Sequence, residues 1–168
     1  MAIVASADAG LRAAARATVL QLRAPHLLVS DLEREAARLV VSSPIPVLVS
    51  ARCDVALATG SAGVNLPERD IPTPEARTLL GQRLLGRSIH SLDSAVAAER
   101  DGADFVIFGP VWESSTHPDV PPVGIEALAR VAASVAIPVL AIGGVTEERI
   151  PAVHKAGAAG YAAIMLFQ

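Results

Sequence analysis

Short apolar runs rich in β-branched residues alternate along this chain with alanine-rich stretches whose apolar positions recur at helical spacing. The runs predict eight strands: Ala2–Ser6, Val19–Leu22, Val47–Ser50, Gly63–Leu66, Leu85–Ser88, Phe105–Phe108, Val139–Ile142 and Tyr161–Leu166. Phe105-Val106-Ile107-Phe108 is apolar at every position, which suits a strand covered on both faces, as in a parallel sheet. The stretches between them predict helices. Asp31–Val41 carries Leu32, Ala36, Leu39 and Val40 on one face, with Ser30 or Asp31 as N-cap. Thr73–Leu80 has Pro74 in its first turn, where a missing N–H costs little. Leu92–Arg100 follows the natural cap Ser91. Gly124–Val135 and Thr146–Lys155 complete the longer set, the last with two acids in its first turn. Ala9–Ala17 and Arg52–Ala58 are shorter. Ile-Pro precedes an apolar strand twice, and a glycine turn joins helix to strand twice, as expected of repeated βα units. The expected fold is α/β, an eight-stranded parallel barrel. A doubly wound open sheet is the alternative, but no G-x-G-x-x-G turn opens a helix.

The chain has 168 residues, 52% of them hydrophobic, enough for one domain spanning residues 1–168 with a sizeable core. Aromatics are only 3%, so that core is built from Ala, Val, Leu and Ile. A formal net charge of -3 offers no basic excess for phosphate backbones and argues against a nucleic-acid partner. The single cysteine excludes a disulfide framework and a multi-cysteine metal site. No apolar run is long enough for a membrane span and the N-terminus shows no basic-then-apolar signal, so a cytoplasmic protein without a membrane partner is expected. Lys155 is the only lysine, and Schiff-base chemistry has that single candidate.

Several strand ends carry candidate chemistry. Ala141-Ile142-Gly143-Gly144-Val145-Thr146 ends a buried strand in two glycines and leads into a helix. Backbone N–H groups there can approach an anion, and the loops after strands seven and eight of a barrel often bind phosphate. A tight turn that simply needs glycine is the competing explanation. Ser88 and His90 lie two apart at the fifth strand end and so point the same way. His90 is suited to proton exchange near neutral pH, or to capping the next helix. Gly109-Pro110-Val111-Trp112 opens a long polar loop that runs through His117 to Gly124, a candidate lid or substrate loop. Trp112 stacks on a flat ring or plugs the core, and His117 is a substrate contact or a solvated loop histidine. Gln21, Arg23, Arg52 and Asp70 follow strands two to four and would face the same mouth. The arginines suit phosphate or carboxylate, although surface ion pairing is the commoner fate of any one arginine. Asp70 alone falls short of a magnesium site.

In order, these residues resemble the thiamine phosphate synthase/TenI superfamily of (β/α)8 barrels. The resemblance is specific over Gly86–Ile164, through "GRSIHSLDSAVAAERDGADFVIFGPVWESSTHP", "PPVGIEAL", "IPVLAIGGV" and "AGAAGYAAI", and looser upstream through "VLQLR", "ARCDVALATGSAGVNL" and "RDIPTPEAR". It implies a thiazole phosphate at Gly143 and Gly144 with Ile164 and Met165. It also implies a pyrimidine–pyrophosphate half around Gln21, Arg23, Ser88 and Asp70. The family joins these two substrates with magnesium, or, in its TenI branch, aromatises a carboxythiazole phosphate by proton transfer at the histidine matching His90.

The chain departs from the synthase pattern. Ala24-Pro25 replaces Glu-Lys after "QLR", and Ser50-Ala51-Arg52 replaces Asn-Asp-Arg after strand three. Ser114, Thr116 and His117 stand where Thr-x-Thr-Lys is usual. Asn65-Leu66-Pro67-Glu68 replaces His-Leu-Gly-Gln, and Met165 replaces a serine. Two lysines and one aspartate are lost while the glycines and His90 remain. The sequence alone therefore favours a thiazole tautomerase with His90 as acid–base, needing no cofactor. Gln21, Arg23, Arg52, Ser88, Trp112, His117 and Gly124 would contact substrate. The alternatives are thiamine phosphate synthase, the one reading that calls for magnesium, and an inactive ligand-binding paralogue. The length is short for eight units against the ~250 residues typical of such barrels. A trimmed barrel with a brief first helix and no eighth helix follows, its open flank expected to be covered in a homodimer or larger homo-oligomer.

Overall fold

The computed structural model describes residues 1–114 and 119–168. Eight parallel strands follow chain order in one sheet: β1 (Ala2–Val4), β2 (Leu20–Leu22), β3 (Val47–Ser50), β4 (Gly63–Leu66), β5 (Leu84–Ile89), β6 (Phe105–Phe108), β7 (Val139–Ala141) and β8 (Gly160–Tyr161). A parallel bridge between Ala2 and Ala163 brings the last strand beside the first and closes the ring. The Ile3 N–H donates to the Ala163 carbonyl at 2.9 Å. Seven α-helices lie between and after the strands among the described residues: α1 (Ala7–Ala13), α2 (Val29–Ser42), α3 (Cys53–Thr59), α4 (Thr73–Leu80), α5 (Leu92–Arg100), α6 (Ile125–Ser134) and α7 (Ile150–Lys155). None is long and apolar enough to cross a membrane.

Strand alternation divides the side chains. Outward residues such as Leu20, Leu22, Val49, Val64 and Leu66 pack against α1–α4, and Ile89, Val106, Phe108 and Ala141 pack against α5–α7. Inward residues Ile3, Leu48, Phe105, Ile107 and Ala162 fill the barrel as a third apolar cluster. Filling needs one local concession. A Cβ on Gly86 would stand 2.1 Å from the Phe105 ring, so glycine on β5 makes room for the largest side chain of the interior.

Several elements differ from the sequence pattern; α2 starts at Val29 with Leu28 at its N-cap, so Ser30 and Asp31 lie inside the helix and neither caps it. Of the run Tyr161–Leu166 only Tyr161 is strand, in β8 with Gly160; a single bridge follows at Ala163 and a 3-10 turn at Met165–Phe167. The chain here serves the flank of β1 instead: Phe167, just past the run, stacks on Tyr161 at 6.2 Å and packs against the cluster beneath α1. The predicted helix Thr146–Lys155 is a 3-10 turn at Glu147–Arg149 followed by six-residue α7. The first helix lies two residues earlier than its composition suggests, because Ser6 caps it by accepting from the Ala9 N–H at 3.3 Å.

Candidate functional site

The strands end at one mouth, where a cavity of about 500 Å³ opens above the apolar plug. Ile3, Ile107, Ile142 and Ala162 form its apolar wall. Inward-facing Gln21, Asn65 and Ser88, from β2, β4 and β5, form a polar patch on its floor. Gln21 and Asn65 are only 2% and 3% exposed. The Asn65 side-chain amide donates to Ser88 Oγ at 3.0 Å. Gln21 Oε1 and Asn65 Oδ1 are buried and find no donor among the described residues. Leaving a buried acceptor unmade costs about 1–3 kcal/mol. Both residues line the cavity, so two unmet acceptors lie in its wall, the kind of polar group for which a buried site needs an explanation.

Opposite this patch, Gly143 and Gly144 leave β7 with φ of 88° and 65°. Glycine is required twice over. A Cβ on Gly143 would stand 2.4 Å from Pro110 Cβ, and one on Gly144 would stand 2.4 Å from the Glu113 carbonyl oxygen. The loop after β6 lies directly on this turn: the Val111 N–H donates to Ile142 O at 2.8 Å and the Trp112 N–H to Gly143 O at 3.1 Å. The glycines therefore have a packing reason of their own while also lining the cavity, as Ile164 and Met165 do across β8.

His90 follows β5 and lines the same cavity. Its Nδ1 lies 2.5 Å from the Gly109 carbonyl oxygen, which accepts a hydrogen bond from the Nδ1–H. With Nδ1 so engaged, Nε2 is the ring nitrogen that faces a ligand, the position from which a histidine exchanges protons in general acid–base catalysis. Arg23, exposed beyond β2, completes the mouth; its backbone N–H donates to Val4 O at 2.8 Å.

The other sequence candidates are elsewhere. Arg52 does not line the cavity: its guanidinium pairs with Asp54, Nε to Oδ1 at 2.9 Å, and this pairing holds the Asp54 carboxyl below its ordinary range. Asp70 also stands outside the lining, with Oδ1 accepting from the Ile71 N–H at 2.7 Å. Trp112 is half-buried against the α5–α7 cluster and carries Arg149 over its ring, so it plugs and stacks within the protein and does not line the cavity. Gly124, at φ 84°, is the N-cap of α6, and its N–H donates to Val111 O at 3.1 Å. His117 lies outside the described residues. Sequence reasoning missed Asn65, Glu68, Glu113 and Arg149, all of which line the cavity. Strand alternation from Gln21 and Ser88 was a usable signal for Asn65. No pattern in the chain marks Arg149, because a 3-10 turn turns it back toward the glycines.

A family model described as thiamine monophosphate synthase matches residues 3–167. The chain is 39% identical over 152 residues to a thiamine-phosphate synthase of Chloroflexus aurantiacus, covering 88% of this chain and 70% of that one. It is 43% identical over 164 residues to a thiamine-phosphate synthase of Anaeromyxobacter dehalogenans, covering 96% and 73%. Among solved structures, a thiamine phosphate pyrophosphorylase from Pyrococcus furiosus superposes with a TM-score of 0.88 at 28% identity, covering 97% of this chain and 84% of that one.

Proposed function

The chain belongs to the thiamine monophosphate synthase family, and on that premise we propose that its mouth joins a phosphorylated thiazole to a pyrimidine pyrophosphate. This is one of the two alternatives to tautomerisation that the sequence left open. It moves ahead of tautomerisation because the relatives described above are named for the synthase and none for an isomerase. The observation that carries it is the cavity itself. At about 500 Å³ it has room for two small heterocycles, with a glycine loop on one side and unpaired acceptors on the other. Gly143 and Gly144 would offer backbone N–H groups to the thiazole phosphate. The carbonyl oxygens of Gln21 and Asn65 would accept from N–H groups of the pyrimidine half.

In the reaction a bond forms at the carbon that carries the pyrophosphate, and pyrophosphate leaves with the bonding electron pair. Positive charge near the leaving oxygens lowers that barrier. Arg23 is the cation at the mouth on the β2 side. Magnesium, which the resemblance implies, is not matched by the donors present. Ser50 and Ala51 end β3 without a carboxylate, Asp70 is turned to its own loop, and Glu68 and Glu113 stand on loops separated by β5. No group of three His, Cys, Asp or Glu suited to a metal occurs among the described residues. No step is therefore routed through a metal.

One observation favours a second reading. His90 is oriented by Gly109 and has Nε2 left to face a ligand, as proton transfer on a thiazole carboxylate would need. Incubating the protein with both condensation substrates and magnesium separates the two. The first reading expects thiamine phosphate, with formation reduced when Gln21→Ala removes an acceptor. Absence of product, together with tautomer formation that falls about 100-fold in His90→Ala, overturns it in favour of the second.

A further inference from the structure

The glycine loop supplies N–H groups but no net charge, and α7 is too short to add much dipole. A charged group nevertheless stands at this loop. Arg149 lines the cavity beside Gly143 and Gly144, with its guanidinium 5.0 Å above the Trp112 ring and Nη1 donating to the Gly144 carbonyl at 2.5 Å. Six arginines of the described residues pair with a carboxylate within 4.0 Å; Arg149, like Arg23 on the other side of the mouth, does not. The Glu148 carboxyl next to it is lowered first by a hydrogen bond from Thr146 and also by the Arg149 charge, through space and without an ion pair. The half-buried guanidinium, held by one carbonyl and one ring, so keeps its remaining N–H donors for a ligand. Gln21 and Asn65 in the wall of the same cavity each carry a buried acceptor with no donor among the described residues.

We propose that Arg149 binds the phosphate group of the substrate held at Gly143–Gly144, and that Trp112 pre-sets the guanidinium for this contact. Stacking fixes the plane of the fork, so less side-chain freedom is lost when phosphate arrives. The Gly144 bond fixes one corner of that plane, leaving the opposite edge for two parallel N–H···O contacts. The steric requirement at Gly144 has a second origin here: a Cβ there would stand 3.2 Å from Arg149 Nη1. The inference rests on the functional reading only for the identity of the ring attached to the phosphate.

Calorimetric titration with a thiazole phosphate ester and with the matching thiazole alcohol tests it. Arg149→Ala is expected to weaken the ester about 10- to 100-fold, as loss of a charge-assisted contact does, and to change the alcohol less than about twofold. Arg149→Gln keeps a donor for Gly144 but removes the charge, and is expected to behave like alanine. Arg149→Lys recovers part of the loss. Emission of Trp112, the only tryptophan, is expected to shift on ester binding and not to shift in Arg149→Gln. Equal losses for ester and alcohol, or no loss, overturn the proposal. If neither thiazole binds the unaltered protein, the functional reading fails, and inorganic phosphate followed by phosphorus NMR becomes the probe. Weakening of about fivefold or more in Arg149→Gln then sustains the proposal, and unchanged or undetectable phosphate binding overturns it.

Discussion

Ala51 sits at φ 64° where β3 turns into α3, in the left-handed region that non-glycine residues avoid. Its N–H donates to the Asn65 carbonyl at 3.0 Å, so the turn that strains it also ties β3 to the residue bearing an unpaired acceptor. The family pattern has an aspartate here, a residue that tolerates this region better than alanine does. Alanine keeps the bend and drops the carboxylate. Relief of the left-handed penalty of ~1–2 kcal/mol outweighs the extra chain entropy of glycine. Ala51→Gly is therefore expected to raise stability by about 0.5–1 kcal/mol, read from urea unfolding midpoints, and a decrease would show that the Cβ packs usefully. Arg87 works at the same scale in the opposite sense. It is only 8% exposed and donates to the carbonyls of Ile71 at 2.8 Å and Glu68 at 3.2 Å. A charge satisfied by backbone acceptors thus fixes the loop that brings Glu68 to the cavity.

At the scale of elements, the site depends on two strand pairs. β5 and β6 meet through Gly86 and Phe105, and β6 and β7 continue as two loops bonded to each other above the barrel. Gly86→Ala would drive a methyl group into the Phe105 ring, with the obstacle a buried side chain on a paired strand. Overpacking of this kind costs about 1–3 kcal/mol, and the larger figure is expected because neither strand is free to shift. Thermal unfolding checks it, and Phe105→Leu in the same chain is expected to restore part of the loss. Elsewhere one side chain links two units. Asp104 Oδ2 accepts from the Leu85 N–H at 2.7 Å and from Arg77 Nη2 at 2.6 Å, which joins α4 to the start of β5 and β6 on the face away from the cavity.

Over the whole molecule, two outer clusters divide the barrel, one beneath α1–α4 and one beneath α5–α7. Separate unfolding of two halves would follow if nothing joined them. The inner cluster does join them, since Ile3 and Leu48 come from one half and Phe105 and Ile107 from the other. The Ala2–Ala163 bridge adds hydrogen bonds at the remaining seam. One cooperative transition is therefore expected, with far-UV circular dichroism and Trp112 fluorescence coincident in urea. A Trp112 transition at lower urea would show that the α5–α7 half opens by itself. The apolar flank at β8 and β1 is partly covered from within, by Phe167 on Tyr161 and by the Met1 ammonium donating to Tyr161 O at 2.7 Å.

Strand and helix order, the barrel and the family were legible in the sequence, because period-2 and period-3.6 patterns and glycine turns are local properties of the chain. Gln21, Ser88, His90 and the two glycines were legible for the same reason: each sits at a strand end, and strand ends of a barrel share a mouth. The partners of the arginines were not legible. Arg23 reaches the mouth, Arg52 is taken by Asp54 two residues away, and Arg149 is aimed at the glycines by a turn that breaks the predicted helix. All three are exposed-looking arginines in the sequence. A long side chain's destination depends on which acceptor the folded backbone brings near, and only the tertiary structure decides that. The last strand shows the same limit: an apolar run records that residues are buried, whereas in the fold only Tyr161 of that run pairs as strand, on β7, one bridge at Ala163 meets β1, and the rest wrap the flank.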